Sequence, residues 1–143
     1  MTWAELHRQS ELLASQAEAA LRAGDASGAE QLYADAADWE ARALGSVAPE
    51  KLRTLGITAV SAVALWFKAK RFGLAEGLAY RSLARPELPQ FAKTQLKELL
   101  HAIRQDNYWT AETPLPDRRE SVRSTSLVFS TSESVNLIFP RAA

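Results

Sequence analysis

The sequence predicts a mainly α fold: an antiparallel array of helix hairpins, about five helices in all, ending in a tail with the pattern of a β-hairpin. Three observations predict it. The stretch LGITAVSAVALWF, Leu55 to Phe67, is apolar around nearly its whole helical circumference, so neighbours must cover it on several sides; at 13 residues it is shorter than the roughly 20 that span a membrane. The segments flanking it carry apolar residues at three- and four-residue steps on one side only, as helices packed around a central one do. Beyond residue 109 the texture changes to proline and charge, then to serine and threonine.

Each element follows from local chemistry. Thr2 and Glu5 have the spacing of a capping box and open the first helix, whose inner face carries Leu6, Leu13, Ala17, Ala20 and Leu21; Gly24 ends it. Ser27 and Glu30 repeat that spacing and open the second helix, with Ala29, Leu32, Tyr33, Ala36, Ala43 and Leu44 facing inward and Gly45 as its stop. So short a connection makes the two helices antiparallel neighbours. The third helix is expected from Pro49 to Lys70, with Gly56, Ser61, Ala62 and Ala64 letting other backbones come close. The cations of its last turn complement the negative end of the helix dipole. The fourth runs from Gly73 to Arg85, where Pro86 ends it. Pro89 starts the fifth, with Phe91, Leu96, Leu99, Leu100 and Ile103 inward.

Residues 1–109 therefore form one helical domain. Residues 110–121, with Pro114 and Pro116, are expected to be a linker, and residues 122–143 a strand-forming tail. Its two strands place Leu127 and Phe129, then Val135, Leu137 and Phe139, on one face each. A two-stranded hairpin is marginal in water, so the tail must pack on the helices, pair with another chain or stay mobile.

Formal charge balances at 17 against 17, so no overall field recruits nucleic acid or membrane. The distribution is uneven: residues 1–48 hold eight acids against three arginines, and residues 49–104 hold ten Lys or Arg against four Glu. An acidic end and a basic end follow, either as differently solvated helix faces or as a steered contact. The chain has no cysteine, which excludes disulfides, thiolate metal sites and cysteine nucleophiles. Its N-terminus has no cationic run followed by an apolar core, so a cytoplasmic location is expected.

The sequence points away from catalysis, cofactors and metal. It contains no Gly-rich phosphate loop, G-x-S-x-G, H-E-x-x-H or EF-hand loop, the patterns that build such sites. Its two histidines, His7 and His101, are taken as half-exposed helix residues without a metal-type partner three or four positions on. Asp35 and Asp38 share a helix face and are taken as solvated.

Residues 23–39 set over residues 69–85, an offset of 46, match at Ala23/Ala69, Ala29/Ala75, Glu30/Glu76 and Leu32/Leu78. A helix-turn-helix is thus present twice. In the first copy Ala17, Ala29, Tyr33 and Ala36 supply small, small, aromatic and small positions around the turn Gly24–Asp25; in the second, Ala75 and Ser82 are the small residues, Trp66 is an aromatic late in the first helix and Pro86 is a proline at the end. Over about residues 10–105 the chain resembles the tetratricopeptide repeat (TPR). Departures are the missing early tryptophan (Leu13 and Ala59 stand there), Ala17 and Val63 in place of the first-helix glycine, and the longer spacing. The resemblance implies stacked hairpins, a solvating fifth helix and an extended surface that binds polypeptides.

The leading expectation is a non-enzymatic protein–protein interaction module, an adaptor or accessory subunit binding a protein or peptide partner. Candidate contact residues are Trp39; the basic set Lys68, Lys70, Arg71, Arg81 and Arg85, suited to an acidic peptide or a phosphate backbone; Tyr108 and Trp109 after helix five; and Leu127, Phe129, Leu137 and Phe139 in the tail, which could add strands to a partner or build a homo-oligomer. Trp66 is read as core. Two alternatives stay open: a regulatory or remnant fragment of a larger enzyme system, and a weak nucleic-acid binder, against which stands the lack of aromatics interleaved with the cations.

Overall fold

Helices α1 (Trp3–Arg22), α2 (Ala26–Gly45), α3 (Leu52–Lys68), α4 (Phe72–Leu83) and α5 (Gln90–Glu112) follow one another in a computed structural model that describes residues 1–112, with side chains through residue 107. Each helix packs on the next, and α3 also meets α5, so α3 touches α2, α4 and α5. Helices α1, α3 and α5 start at the same end: Trp3 of α1 donates to Thr58 near the start of α3, and Gly56 of α3 faces Phe91 and Ala92 at the start of α5. Helices α2 and α4 run back between them. The array of antiparallel hairpins expected from the sequence is present, and no strand occurs among the described residues. No described helix is long and apolar enough to cross a membrane.

The core has two parts. Ala59, Val60, Ala62, Val63, Ala64 and Phe67 of α3 pack with Ala75, Leu78 and Ala79 of α4 and with Leu96, Leu99, Leu100 and Ile103 of α5. A different face of α3, at Leu65, closes together with Ala69 just past its end on Ala14 and Ala17 of α1 and Ala29, Tyr33, Ala36 and Ala37 of α2. Trp66 is half-buried and packs against both, joining the two parts as a central residue should. Leu65, Leu96 and Ile103 are completely enclosed, and burying each such side chain stabilises the fold by about 1.5–3 kcal/mol. Of the stripe expected inward on α5, Phe91 is the exception: it is 39% exposed, because it lies at the rim over Gly56.

Capping sets the helix limits. Thr2 Oγ1 accepts from the Glu5 amide, and the Glu5 carboxylate accepts from the Thr2 amide at 2.7 Å, a complete capping box. The Thr2 amide first, and then the Thr2 hydroxyl, both donating to that carboxylate, hold the Glu5 pKa below its ordinary value. The second capping box does not form. Asp25, two residues earlier than Ser27, caps α2 by accepting from the Gly28 amide at 2.9 Å, and its carboxylate fills the space a Cβ at residue 28 would need.

The two interhelical turns repeat bond for bond at the offset of 46. Ala23 and Ala69 end their helices in αR geometry; Gly24 and Lys70 follow with φ of 83° and 58°; Asp25 and Arg71 then start the next helix. The amides of Asp25 and Arg71 reach back to the carbonyls of Ala20 and Trp66, at 2.9 and 3.0 Å.

Several boundaries differ from expectation, among them the end of α3, which stops at Lys68 and leaves Lys70 in the turn. Pro49 lies before α3 rather than in it, because Ala48 to Lys51 close a turn with proline at its second position, where fixed φ is favourable. Likewise α4 stops at Leu83, and Pro86 takes the second position of a turn from Arg85 to Leu88. Helix α5 continues to Glu112, into the first residues of the expected linker. The rest of the linker and the tail, with Leu127, Phe129, Leu137 and Phe139, lie outside the described residues.

Candidate functional site

Trp3, His7 and Glu11 follow one another at four-residue steps on α1 and so lie on one stripe. On α2 Glu40 occupies the same stripe as Ala29, Tyr33, Ala36 and Ala43, all buried. Folding the hairpin at Gly24 brings the two stripes together. The carboxylate of Glu40 is wholly enclosed, and its oxygens lie 3.1 and 3.0 Å from Nδ1 of His7. The second ring nitrogen, Nε2, lies 3.3 Å from Oε1 of Glu11. The indole of Trp3 stacks on the imidazole with centroids 4.8 Å apart and planes 9° from parallel. Its Nε1 donates to Thr58 Oγ1 at 3.0 Å, and that hydroxyl donates to the Thr54 carbonyl at 2.7 Å. One turn further along, Ser10 Oγ donates to the Ala36 carbonyl at 2.9 Å. Three helices are thus tied by one polar chain.

This corrects the reading of His7 as a half-exposed residue lacking a partner. Its side chain is only 12% exposed, and Glu11, four positions on, is one of two carboxylates on the ring. Burial of the ring lowers its pKa, but the hydrogen bond and charge of Glu40, with Glu11 added, outweigh that and leave it above the ordinary 6.5. His101, by contrast, is exposed beside Gln105. A signal was available for the cluster: Glu40 stands at a core position of an otherwise apolar stripe, and His7 lies at a similar distance on the other side of the turn.

The cluster faces inward. The cleft next to it, about 150 Å³, is lined by Trp3, Ser46, Val47, Ala48, Lys51 and Thr54. Among the described residues no group of three or more His, Asp or Glu is placed to hold a metal ion. The arrangement serves to fasten helices.

The expected contact residues fall in separate places. Trp39 is half-buried on α2 with the Arg42 guanidinium 4.9 Å from its ring centroid, while the neighbouring Asp35 and Asp38 are exposed and engaged by Gln31 and Arg42. The basic set splits in two. Lys68, Lys70 and Arg71 gather at the α3–α4 turn: Lys68 lies 5.6 Å from the Tyr33 ring centroid, where burial lowers its pKa against the pull of Glu18, and Lys70 pairs with Glu30 at 3.2 Å. Burial likewise raises the Tyr33 hydroxyl to about 12. Arg81 and Arg85 lie one turn apart near the end of α4, with Arg85 engaged by Glu87 at 2.9 Å. Tyr108 and Trp109 fall within α5 rather than after it, and their side chains lie outside the described part.

Sequence reasoning missed the exposed apolar residues of α4. Leu74 is 52% and Tyr80 44% exposed; Leu74, Gly77, Arg81 and Ala84 share one helix face by spacing, and no acidic residue of α4 is fully exposed. Tyr80 also hydrogen-bonds Arg104 of α5.

Comparison of the chain with protein-family models, with curated proteins and with solved structures finds no match.

Proposed function

We propose that this chain is a non-enzymatic protein-interaction module of TPR-like construction, an adaptor or accessory subunit that engages an acidic amphipathic segment of a partner protein. The observation that carries the reading is the outer surface of α4. Leu74 stands exposed there on one face with Arg81, with Arg71 and Arg85 at the two ends of the helix and the exposed Tyr80 on the side toward Arg104 of α5, a mixture of apolar and arginine side chains typical of contact hot spots. Arginine offers planar, bidentate donors to carboxylates, and apolar side chains supply the area that a solvated helix face would lack. Residues in the tail, Leu127, Phe129, Leu137 and Phe139, add a second contact by strand addition in this reading.

The repeated turn supports the same reading. Hairpins that cannot bury their own faces stack into arrays with extended surfaces, and such surfaces suit polypeptides. Purification of the tagged chain from its own cells tests the proposal. One protein retained in stoichiometric amount by the wild type, and lost with Leu74→Asp combined with Arg81→Glu, is the expected result. Equal retention by the variant would move the contact elsewhere, and the absence of any stoichiometric partner would overturn the proposal.

A further inference from the structure

A neutral imidazole has one N–H and one lone pair, so it can donate to one acceptor only; the imidazolium donates from both nitrogens. His7 faces carboxylates on both: Glu40 of α2 on Nδ1 and Glu11 of α1 on Nε2. From α3 the uncharged Thr58 approaches behind the Trp3 indole that covers the ring. Only the charged ring satisfies this geometry. We infer that His7 is a protonation-gated latch: charged, it bridges both carboxylates and fastens the first half of α1 to α2 and α3; neutral, it leaves one carboxylate facing a lone pair, and α1 loosens.

The linkage follows from the direction already given. The folded ring holds its proton above the ordinary 6.5, so the latch contributes fully below that value and its contribution is lost as pH rises through the higher folded value. The released face is not a solvated one. It includes Glu40, which has no exposure in the closed form: a neutral ring that donates from Nδ1 turns its Nε2 lone pair on Glu11, and one that donates from Nε2 leaves the buried Glu40 without a donor, which is costly until opening lets water reach it. A change of charge near neutrality therefore becomes a change in how firmly one helix is held.

Glu11→Gln separates this latch from a merely structural histidine. The amide of Gln can donate to the Nε2 lone pair, so the neutral ring would be satisfied on both sides. The test uses the full chain in a His101→Asn background, where His7 is the one remaining histidine, and follows the ring by nitrogen and carbon NMR while melting is recorded across pH. Expected are a ring charged on both nitrogens at pH below 6.5, a midpoint above 6.5, a melting temperature that falls as pH rises through that midpoint, and a lower midpoint with a flatter melting profile in Glu11→Gln. A ring that is neutral at pH below 6.5, or a melting profile in Glu11→Gln identical to that of the parent, would overturn the inference. Glu11 is partly exposed, so its conservative replacement leaves the fold available for measurement.

Discussion

Gly24 and Lys70 hold the same position in two turns that match bond for bond, yet one is glycine and the other is not. Both take positive φ, 83° and 58°, a region that costs an L-residue with a Cβ about 1 kcal/mol or more. Lys70 is kept there while its ammonium pairs with Glu30 of the preceding hairpin at 3.2 Å. The pair is exposed on both sides, where such contacts are worth at most about 1 kcal/mol.

Replacing Lys70 by glycine should therefore stabilise the protein slightly or leave it unchanged. Lys70→Ala, which loses the ion pair and keeps the Cβ, should be less stable than Lys70→Gly by about 1 kcal/mol. Denaturant melts of the two variants compare the backbone cost directly, and equal stabilities would show that the turn does not impose it.

Gly56 has a packing reason instead. A Cβ there would come within 2.9 Å of Phe91 Cζ, 3.1 Å of Ala92 Cβ and 3.3 Å of Pro89 Cδ, so Gly56→Ala must push the start of α5 away from α3. The expected loss is about 1–3 kcal/mol, in spite of alanine's better helix propensity. At Gly73 a Cβ meets nothing within 4 Å, and Gly73→Ala should be neutral or stabilising by up to about 1 kcal/mol. Thermal melts of both would check the contrast, which fails if they move together.

The buried carboxylate makes the sharpest prediction about the first hairpin. Glu40→Ala removes the partner of His7 from an enclosed site, and breaking a buried pair typically costs about 3–5 kcal/mol. Ser61→Ala should do the reverse: that hydroxyl is buried with no hydrogen-bond partner among the described residues, so its removal should be neutral or stabilising by about 1 kcal/mol. Chemical denaturation distinguishes the two signs.

Much of this architecture was legible because it depends on local chemistry. The capping box at Thr2 and Glu5, the enclosed stretch around Val60 to Leu65 and the duplicated turn all follow from spacing along the chain. Asp25 was missed as a cap because Ser27 offered the same pattern two residues later, and a carboxylate preceding a small glycine won the competition. The His7–Glu40 contact was missed for a different reason. It joins residues 33 positions apart, and its existence depends on the register of two helices, which no single helix reveals. The exposure of Leu74 escaped notice because an apolar residue at helical spacing is ordinarily buried, whereas α4 is covered on one side only.

Ending the chain at Glu112 should preserve a cooperative melt and a helical signal, since the two core clusters are built from residues 14–103. Circular dichroism of the shortened chain checks it. Leu96→Ala within that shortened chain should cost about 2–5 kcal/mol, confirming that the melt reports the same core.

The central claim, that the helical array engages an acidic amphipathic partner through α4, is tested most directly by the native mass of the complex isolated from the protein's own cells. The account predicts the chain bound to one partner of defined mass, dissociating when Leu74→Asp and Arg81→Glu are introduced together. A chain that carries no partner, or a complex that keeps the same mass and occupancy with both substitutions, would contradict it.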